Sequence, residues 1–267
     1  MSSINKSMLQ ITALEELAQK STALHRLQPS VKLMITIIYI ITVISFPPDE
    51  VSGLIPFICF PVFIMIIGEI PFKPLALRCM FALPFAFFAG ISNLLISRNI
   101  EFYLGEFGIT QGMISFSSLL LKTVLTVMFV LLLMSTTHMN DILYALIGFH
   151  LPSLIIVQIM MTYRYMSILL EETSKMYYAY LLRAPKEKGI KLKDMGSFLG
   201  QLILRSFDRA ERIYHAMQCR GFEGSISFSK KDRLRIRDVL IIVAIGSLLV
   251  FLRFFNVSKM IGQLWMS

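Results

Sequence analysis

Residues 113–135 read MISFSSLLLKTVLTVMFVLLLMS, an apolar run with a single charged residue, Lys122. A helix needs about 17 to 25 mostly apolar residues to cross the hydrocarbon of a bilayer. This run therefore predicts a membrane-spanning helix. The composition of the whole 267-residue chain agrees, because only 16% of its residues are charged, whereas soluble domains carry about 25%.

Four more apolar runs predict spans of their own, at residues 31–46, 51–68, 79–97 and 236–256. Between the first two, residues 47–50 read PPDE, which cannot continue a helix and predicts a tight turn. We therefore predict an all-α, polytopic membrane protein of about five transmembrane helices, with two or three further helices on the cytoplasmic side.

Residues 151–170 form a sixth apolar segment, which runs into Arg164, Glu171 and Glu172. Sixteen of the 26 Lys and Arg lie between Arg164 and Asp238, where the net charge is +7. If the sixth segment crossed from the inside, this basic stretch would lie outside, against the tendency of Lys and Arg to remain cytoplasmic. A five-span layout avoids the conflict, with the sixth segment buried against protein or at the membrane interface.

Loop charges give the orientation. Residues 47–50 carry −2 and residues 98–111 carry −1, whereas residues 69–78 carry +1. We predict a multi-pass protein of the cell membrane, divided as follows: a cytoplasmic N-terminal segment at 1–30, four transmembrane helices at 31–135, a cytoplasmic helical region at 136–235, and the last transmembrane helix with a C-terminal tail at 236–267.

Several kinds of chemistry are missing from the sequence. No GxxxxGK[ST] loop is present to bind nucleotide phosphates, and the first 30 residues lack the apolar core of a signal peptide. Three cysteines form no CxxC pair, and four histidines have no metal-ligand spacing: Cys59, Cys79 and Cys219; His25, His138, His150 and His215. We predict no catalytic residue, no cofactor, no bound metal and no nucleic-acid partner.

The basic region is predicted to be helical. Apolar spacing predicts an amphipathic helix over residues 137–150, and a long helix over 152–182 that Pro185 stops. Another helix is predicted over 195–219, ended by Gly221, which can adopt the left-handed conformation.

Both long helices end on an arginine, Arg183 or Arg220. The helix dipole alone favours a cation at this position. A guanidinium at a helix end also presents a rigid fork to a carboxylate of another protein. The sequence leaves both explanations for these arginines open, the helix dipole and a partner carboxylate.

The second long helix has an apolar face. It either packs on the helix of Arg183, or the two helices cross, bury their apolar faces together and leave both arginine ends projecting into one partner assembly. Both arrangements can hold together. The face is made of Phe207, Ala210, Ile213, Ala216 and Met217, with Tyr214 beside them.

Residues 205–224, RSFDRAERIYHAMQCRGFEG, resemble the signature of the transmembrane T component of energy-coupling factor (ECF) transporters, particularly the CbiQ-like branch. The opening at residues 24–33, LHRLQPSVKL, is similar to the start of that family, with Gln28 in place of the usual acid. Thr136-Thr137 and the stretch around Leu151-Pro152 also look like the family's middle region. The resemblance therefore covers nearly the whole chain.

In that family two short motifs ending in Ala-Arg-Gly close two cytoplasmic coupling helices. Cys219-Arg220-Gly221 takes the place of the second motif, and Leu182-Arg183-Ala184 takes the first, with both flanking residues changed. The resemblance implies ATPase docking by Arg183, Ala184, Arg220 and Gly221, supported by Arg209, Glu211, Ala216 and Met217.

The same resemblance implies two kinds of partner. Each arginine would dock in a groove of one subunit of an ABC-type ATPase pair, while the spans and long helices hold an S-type substrate-binding membrane subunit. ATP-driven closure of the ATPases would push the two helix ends and tilt the substrate-binding subunit. The CbiQ-like branch implies cobalt or nickel ions as the substrate, and a vitamin importer is the alternative.

The sequence is also compatible with two other classes of function. A self-contained channel or secondary transporter would use Lys122, Asn93 and Arg98 as a polar path. A membrane enzyme would need His138, Asp141 or His215, but no spacing joins them to a nucleophile or a metal.

Overall fold

The structure is a computed structural model that describes residues 22, 24–96, 100–104, 107–148, 152–185, 187, 189–223 and 236–255. Arg98, His150, Leu151 and the predicted tail from residue 256 lie outside these ranges. The described helices are α1 Pro29–Ile44, α2 Ile55–Gly68, α3 Phe72–Met80, α4 Leu83–Ile96, α5 Gln111–Thr136, α6 Met139–Ile147, α7 Ser153–Arg183, α8 Leu192–Gln218 and α9 Ile236–Phe254. A 3-10 turn, Ser52–Leu54, leads into α2.

The predicted all-α architecture is confirmed. Within the described ranges the strands are a short antiparallel hairpin of β1 (Ile100–Leu104) and β2 (Phe107–Thr110), in the connection between α4 and α5. The described residues fall into two compact units. We call residues 24–142 and 236–255 the bundle unit, and residues 143–223 the hairpin unit.

α5 is the central helix of the bundle unit, since it packs against α1, α2, α3 and α4, while α9 packs against α1. The core where these helices meet is aromatic and aliphatic. Its buried members are Tyr39, Val43, Phe46, Leu54, Phe57, Leu125, Phe129 and Leu249.

A proline inside α2 explains one polar contact of this core. Pro61 has no N–H, so the carbonyl of Phe57 lacks its usual helical donor. The hydroxyl of Tyr39 donates a hydrogen bond to that carbonyl at 3.0 Å. The ring of Tyr39 also stacks on Phe129, with centroids 3.9 Å apart. One buried side chain therefore joins α1, α2 and α5.

Gly90 of α4 permits a close approach to α5. A Cβ at this position would lie 2.5 Å from the ring of Phe116, which is too close for any side chain without a shift. The absence of a side chain at Gly90 is therefore what lets the two helices pack at this distance.

The distribution of polarity in the bundle unit is that of a protein surrounded by lipid. Small hydroxyl side chains are buried: Thr36, Thr42, Ser115, Ser118, Ser135 and Thr136. Large apolar side chains are exposed by 60 to 80%, among them Ile41, Phe63, Ile66, Phe85 and Phe88. Small residues at helix contacts and apolar residues facing outward are typical of membrane helices.

Helix length and composition support membrane crossing to different degrees. α5 and α7 are each long and apolar enough to cross, and α3 and α4 would qualify together as a pair bent by 48°. α1 and the segment 52–68 are shorter apolar helices. By this measure α7 could span as well, so the five-span layout stays a prediction.

The span predicted at residues 79–97 is not a single straight helix, and the connection predicted at 69–78 is itself largely helical. α3 occupies most of the predicted loop and ends at Met80, and α4 begins at Leu83. The physical reason is Pro84, which has no N–H to donate to the carbonyl of Met80, so a single straight helix cannot continue.

Cations stabilise the ends of two bundle helices. The ammonium of Lys32 donates to the carbonyl of Thr136 at 2.8 Å, at the C-terminal end of α5. Just beyond the end of α1, Lys122 donates to the Phe46 carbonyl at 2.6 Å and Arg253 donates to the Ser45 carbonyl at 2.9 Å. Carbonyls at helix C-termini lack helical donors and carry partial negative charge, so both ends favour a cation.

Candidate docking site

The end of α8 is closed by a specific backbone motif. The N–H of Phe222 donates to the carbonyl of Met217 at 3.0 Å, and the N–H of Gly221 donates to that of Gln218 at 2.9 Å. Gly221 has a φ of 80°, which confirms the predicted left-handed conformation. This is the Schellman motif, in which a glycine tolerates the turn that satisfies the last carbonyls. Arg220 therefore has a backbone position fixed by hydrogen bonds on both sides.

The end of α7 is built differently. The N–H of Ala184 donates to the carbonyl of Tyr180 at 3.0 Å, and Ala184 itself has φ −126° and ψ 66°. The next residue, Pro185, cannot continue the helical hydrogen bonding. Arg183 is the last helical residue, so its guanidinium is displayed where the helix stops.

Both arginine side chains are exposed. Within the described part of the chain, neither guanidinium makes a hydrogen bond or an ion pair with another side chain. Favourable helix dipoles alone would account for their positions. Their exposure leaves both guanidinium groups available to a carboxylate of another protein.

α7 and α8 form an antiparallel hairpin. Near the turn, the hydroxyl of Tyr180 donates to the carboxylate of Asp194 at 2.8 Å. Farther along, Arg205 donates to Glu172 at 2.7 Å. The residue numbers on α7 therefore decrease as those of the paired residues on α8 increase, which is the arrangement of an antiparallel pair of helices.

The hairpin places the two arginine ends far apart. Arg183 lies at the turn, beside the start of α8, whereas Arg220 follows the opposite end of that helix. With a rise of about 1.5 Å per residue, the 27 residues of α8 span about 40 Å. The two guanidinium groups therefore cannot reach one carboxylate, and any docking would use two separate places.

The predicted supporting residues lie on the same helix in different surroundings. Arg209 lies 3.8 Å from Glu172, and His215 lies 3.8 Å from Glu211 on the next turn. Ala216 is exposed and lines a shallow groove with Tyr165. Met217 accepts the capping bond from Phe222.

Glu172 is the charged centre of the contact between the helices. Its two carboxylate oxygens face Arg205 and Arg209 respectively. The hydrogen bond from Arg205, with the nearby positive charges, lowers the pKa of the Glu172 carboxyl below its usual value. The charge pattern alone did not identify Glu172, because its partners lie about thirty residues away and only the hairpin brings them together.

The prediction that the apolar face of α8 packs on the helix of Arg183 was wrong for most of that face. α8 has no buried side chain in the described structure, and Phe207 and Tyr214 are 71% and 52% exposed. Ile213 does face α7, beside Tyr165. The helices meet largely through polar groups, and the rest of the apolar face stays uncovered.

This uncovered face extends along α8. Large apolar side chains recur at intervals of three, four or seven residues and form one stripe, which is the spacing of a single helix face. We call it the α8 stripe: Leu192, Met195, Leu199, Ile203, Phe207 and Tyr214.

Of the residues of the channel hypothesis, Lys122 donates to the main-chain carbonyl of Phe46, Asn93 is exposed, and Arg98 lies outside the described residues. Within the ranges that the structure describes, no three His, Cys, Asp or Glu side chains are grouped as metal ligands would be.

Comparison with known proteins gives matches over most of the chain. A family model described as CbiQ, cobalt transport protein, matches residues 20–231. The energy-coupling factor transporter transmembrane protein EcfT of Streptococcus thermophilus is 29% identical over 260 residues, which cover 86% of this chain and 94% of that protein. Nickel permease LarQ of Lactiplantibacillus plantarum is 30% identical over 105 residues, 39% of this chain and 38% of that protein. The uncharacterized protein MJ1571 of Methanocaldococcus jannaschii is 28% identical over 145 residues, 52% of this chain and 50% of that protein.

Proposed function

The chain belongs to the CbiQ family of cobalt transport proteins, and we propose that it couples an ATPase pair to a substrate-binding membrane subunit through the ends of α7 and α8. Family membership makes it an energy-coupling transmembrane component of an ECF-type transporter, that is, a membrane protein and a part of a transporter.

The observation that carries the proposal is the placement of Arg183 and Arg220. Both are exposed, both stand at the C-terminal end of a long helix, and they lie at opposite ends of a hairpin of about 40 Å. Two separate cationic ends fit two separate grooves, as two ATPase subunits would supply. Each guanidinium would bind a carboxylate in its groove, and Ala184 and Gly221 would keep the backbone beside it accessible.

The α8 stripe supports the second partner. A run of exposed apolar side chains on a helix that has no buried residue is stabilised by an apolar partner surface. We propose that this stripe contributes to holding the substrate-binding membrane subunit. Movement of the helix ends at Arg183 and Arg220 would then displace α8, and the displacement of α8 would move that subunit.

Orientation follows from the same scheme. ATPases that use cellular ATP work in the cytoplasm, so the hairpin unit would lie on the cytoplasmic side of the cell membrane. The +7 charge between Arg164 and Asp238 agrees with that placement.

For the substrate we propose a transition-metal ion, cobalt or nickel. The family description names cobalt transport, and the partly matching LarQ is named a nickel permease. The metal would be bound by the substrate-binding subunit as cargo. A vitamin is the alternative, since a coupling subunit need not touch the substrate.

Copurification of the ATPases tests the docking proposal. In the Arg183→Glu/Arg220→Glu variant we expect the ATPases to be lost from the detergent-solubilised complex, with membrane insertion unchanged. Replacing each guanidinium by a carboxylate leaves the partner carboxylate unpaired and facing a like charge, which costs about 2 kcal/mol or more at each site, or about thirtyfold or more in affinity.

Arg164→Glu is the matched control, because Arg164 is an exposed arginine of α7 far from the helix end. It should keep the ATPases. If the double variant retained them as well as the control does, the two arginines would not be the docking residues.

A further inference from the structure

The contact between α7 and α8 depends on few groups. Apolar burial contributes little, since no side chain of α8 is buried. Two polar contacts along the hairpin are the hydrogen bond from Tyr180 to Asp194 at the turn and the ion pairs of Glu172.

These two contacts have different mechanical consequences. The contact of Tyr180 lies close to the connection between the helices, so by itself it leaves the angle of α8 relative to α7 open. At about 1.5 Å per residue, Glu172 lies about 16 Å from the end of α7 at the turn, and Arg205 lies about 20 Å from the start of α8 at the turn. A second point so far from the turn fixes that angle.

The geometry of Glu172 suits it to this purpose. One carboxylate oxygen is 2.7 Å from Arg205, and the other is 3.8 Å from Arg209, one turn farther along the same helix. A carboxylate that bridges two arginines restricts rotation of α8 as well as its distance from α7. The side chain of Glu172 is also mostly covered, at 22% exposed.

We infer that Glu172 is a positioning residue that sets the angle between α7 and α8, and through it the place of Arg220 relative to α7. A change of about 10° in that angle would move the far end of a 40 Å helix by about 7 Å. The inference rests on the proposed function only in that Arg220 is taken as a docking group. Glu172 itself would touch neither the ATPase nor the substrate.

The sequence supplies a matched control in the neighbouring residue. Glu171 pairs with Lys175 at 2.8 Å on its own helix, and its side chain is 62% exposed. Glu171→Gln therefore removes the same charge from almost the same place, without removing a contact to α8.

Distances between spin labels would measure the angle. Labels at Thr162→Cys and the natural Cys219, with Cys59 and Cys79 replaced by serine, report the separation of the open end of the hairpin in lipid nanodiscs. We expect the Glu172→Gln distribution to be about twice as broad as that of the parent protein, as for a segment freed from one of its contacts. Glu171→Gln should match the parent.

The assembled transporter would show the functional consequence. In Glu172→Gln, the complex should retain its ATPases and its ATP turnover, while substrate uptake per ATP falls about threefold to fivefold, as expected for an ion pair between partly exposed groups. General misfolding would instead reduce turnover and uptake together. The exchanged pair Glu172→Arg/Arg205→Glu should recover much of the uptake and narrow the distance distribution.

The two proposals fail in distinguishable ways. Equal distance distributions for Glu172→Gln and Glu171→Gln would overturn the role of Glu172, even if the docking proposal held. Retention of the ATPases by the double arginine variant would overturn the docking proposal and leave the distance result intact.

Discussion

In the bundle unit, Tyr39, Leu132 and Leu249 each expose at most 1% of their surface, whereas in the hairpin unit α8 has no buried side chain at all. The bundle unit is held by close packing of aromatic and aliphatic groups from several helices. In the hairpin unit, α7 and α8 meet through hydrogen bonds and ion pairs, and the large apolar side chains of α8 are exposed.

The difference lies in what suits each exposed surface. The large exposed side chains of the bundle unit are apolar, which suits lipid. The α8 stripe belongs to a helix that also carries Arg205, Arg209 and Arg212, which bind water well. A helix of that character is stabilised by partners, and we expect the α8 stripe to be covered by a partner surface in the assembled transporter.

Two phenylalanines give the strongest test of this contrast. Phe129→Ala removes a ring that is 3% exposed and stacks on Tyr39, whereas Phe207→Ala removes one that is 71% exposed. We expect the first to cost about 3 kcal/mol of unfolding free energy, the low end for a buried phenylalanine because lipid replaces part of the lost contact. The second should cost less than about 0.5 kcal/mol. Unfolding in mixed detergent micelles measures both, and equal losses would contradict the contrast.

Two glycines test the same contrast in packing between the two units, with the addition of one methyl group at each position. At Gly90 a Cβ would lie 2.5 Å from Phe116, whereas at Gly196 of α8 nothing lies within 4 Å of it. Gly90→Ala should destabilise the bundle unit by about 1 to 3 kcal/mol through overpacking. Gly196→Ala should stabilise α8 by about 0.5 to 1 kcal/mol, because alanine restricts the unfolded chain.

Hydrogen exchange of the amides in α4 and α8 would read out these two variants separately. Faster exchange in α4 and slower exchange in α8 are expected. Slower exchange at both positions would mean that α4 and α5 are not in close contact at Gly90.

A hydroxyl group and a proline test the polar detail of the core. Tyr39→Phe should cost about 1 to 2 kcal/mol, because it leaves the buried carbonyl of Phe57 without a donor. Pro61→Ala restores an N–H that can reach the same carbonyl. In that background Tyr39→Phe should cost less than half as much, and a double-mutant cycle on unfolding free energies would show the coupling. Additive losses would mean that Pro61 does not create the need for Tyr39.

Much of the fold was predictable because its signals are local. Apolar runs and proline positions gave the helices close to their observed limits, with α7 at Ser153–Arg183 against a predicted 152–182. The break between Met80 and Leu83 was missed, since apolar composition continues through it. The break depends on the missing N–H of Pro84, and a hydropathy pattern contains no information about a missing hydrogen-bond donor.

At the candidate site too, the sequence predicted only those features that depend on neighbouring residues. The left-handed end at Gly221 follows from the conformational freedom of glycine, and it was predicted and observed. The exposure of Phe207 was not predicted, because helical spacing identifies an apolar face without saying which surface covers it.

The sequence by itself determined that this protein is an all-α membrane protein with two long helices ending on Arg183 and Arg220. Helix propensity, the length of apolar runs and capping residues act over a few neighbouring positions, so the amino-acid sequence alone contains all of these signals. The tertiary structure alone decided that the two arginines lie at opposite ends of an antiparallel hairpin, and that Glu172 meets Arg205 across it. Those facts depend on contacts between residues distant in the chain, whose geometry is fixed only when both helices are packed.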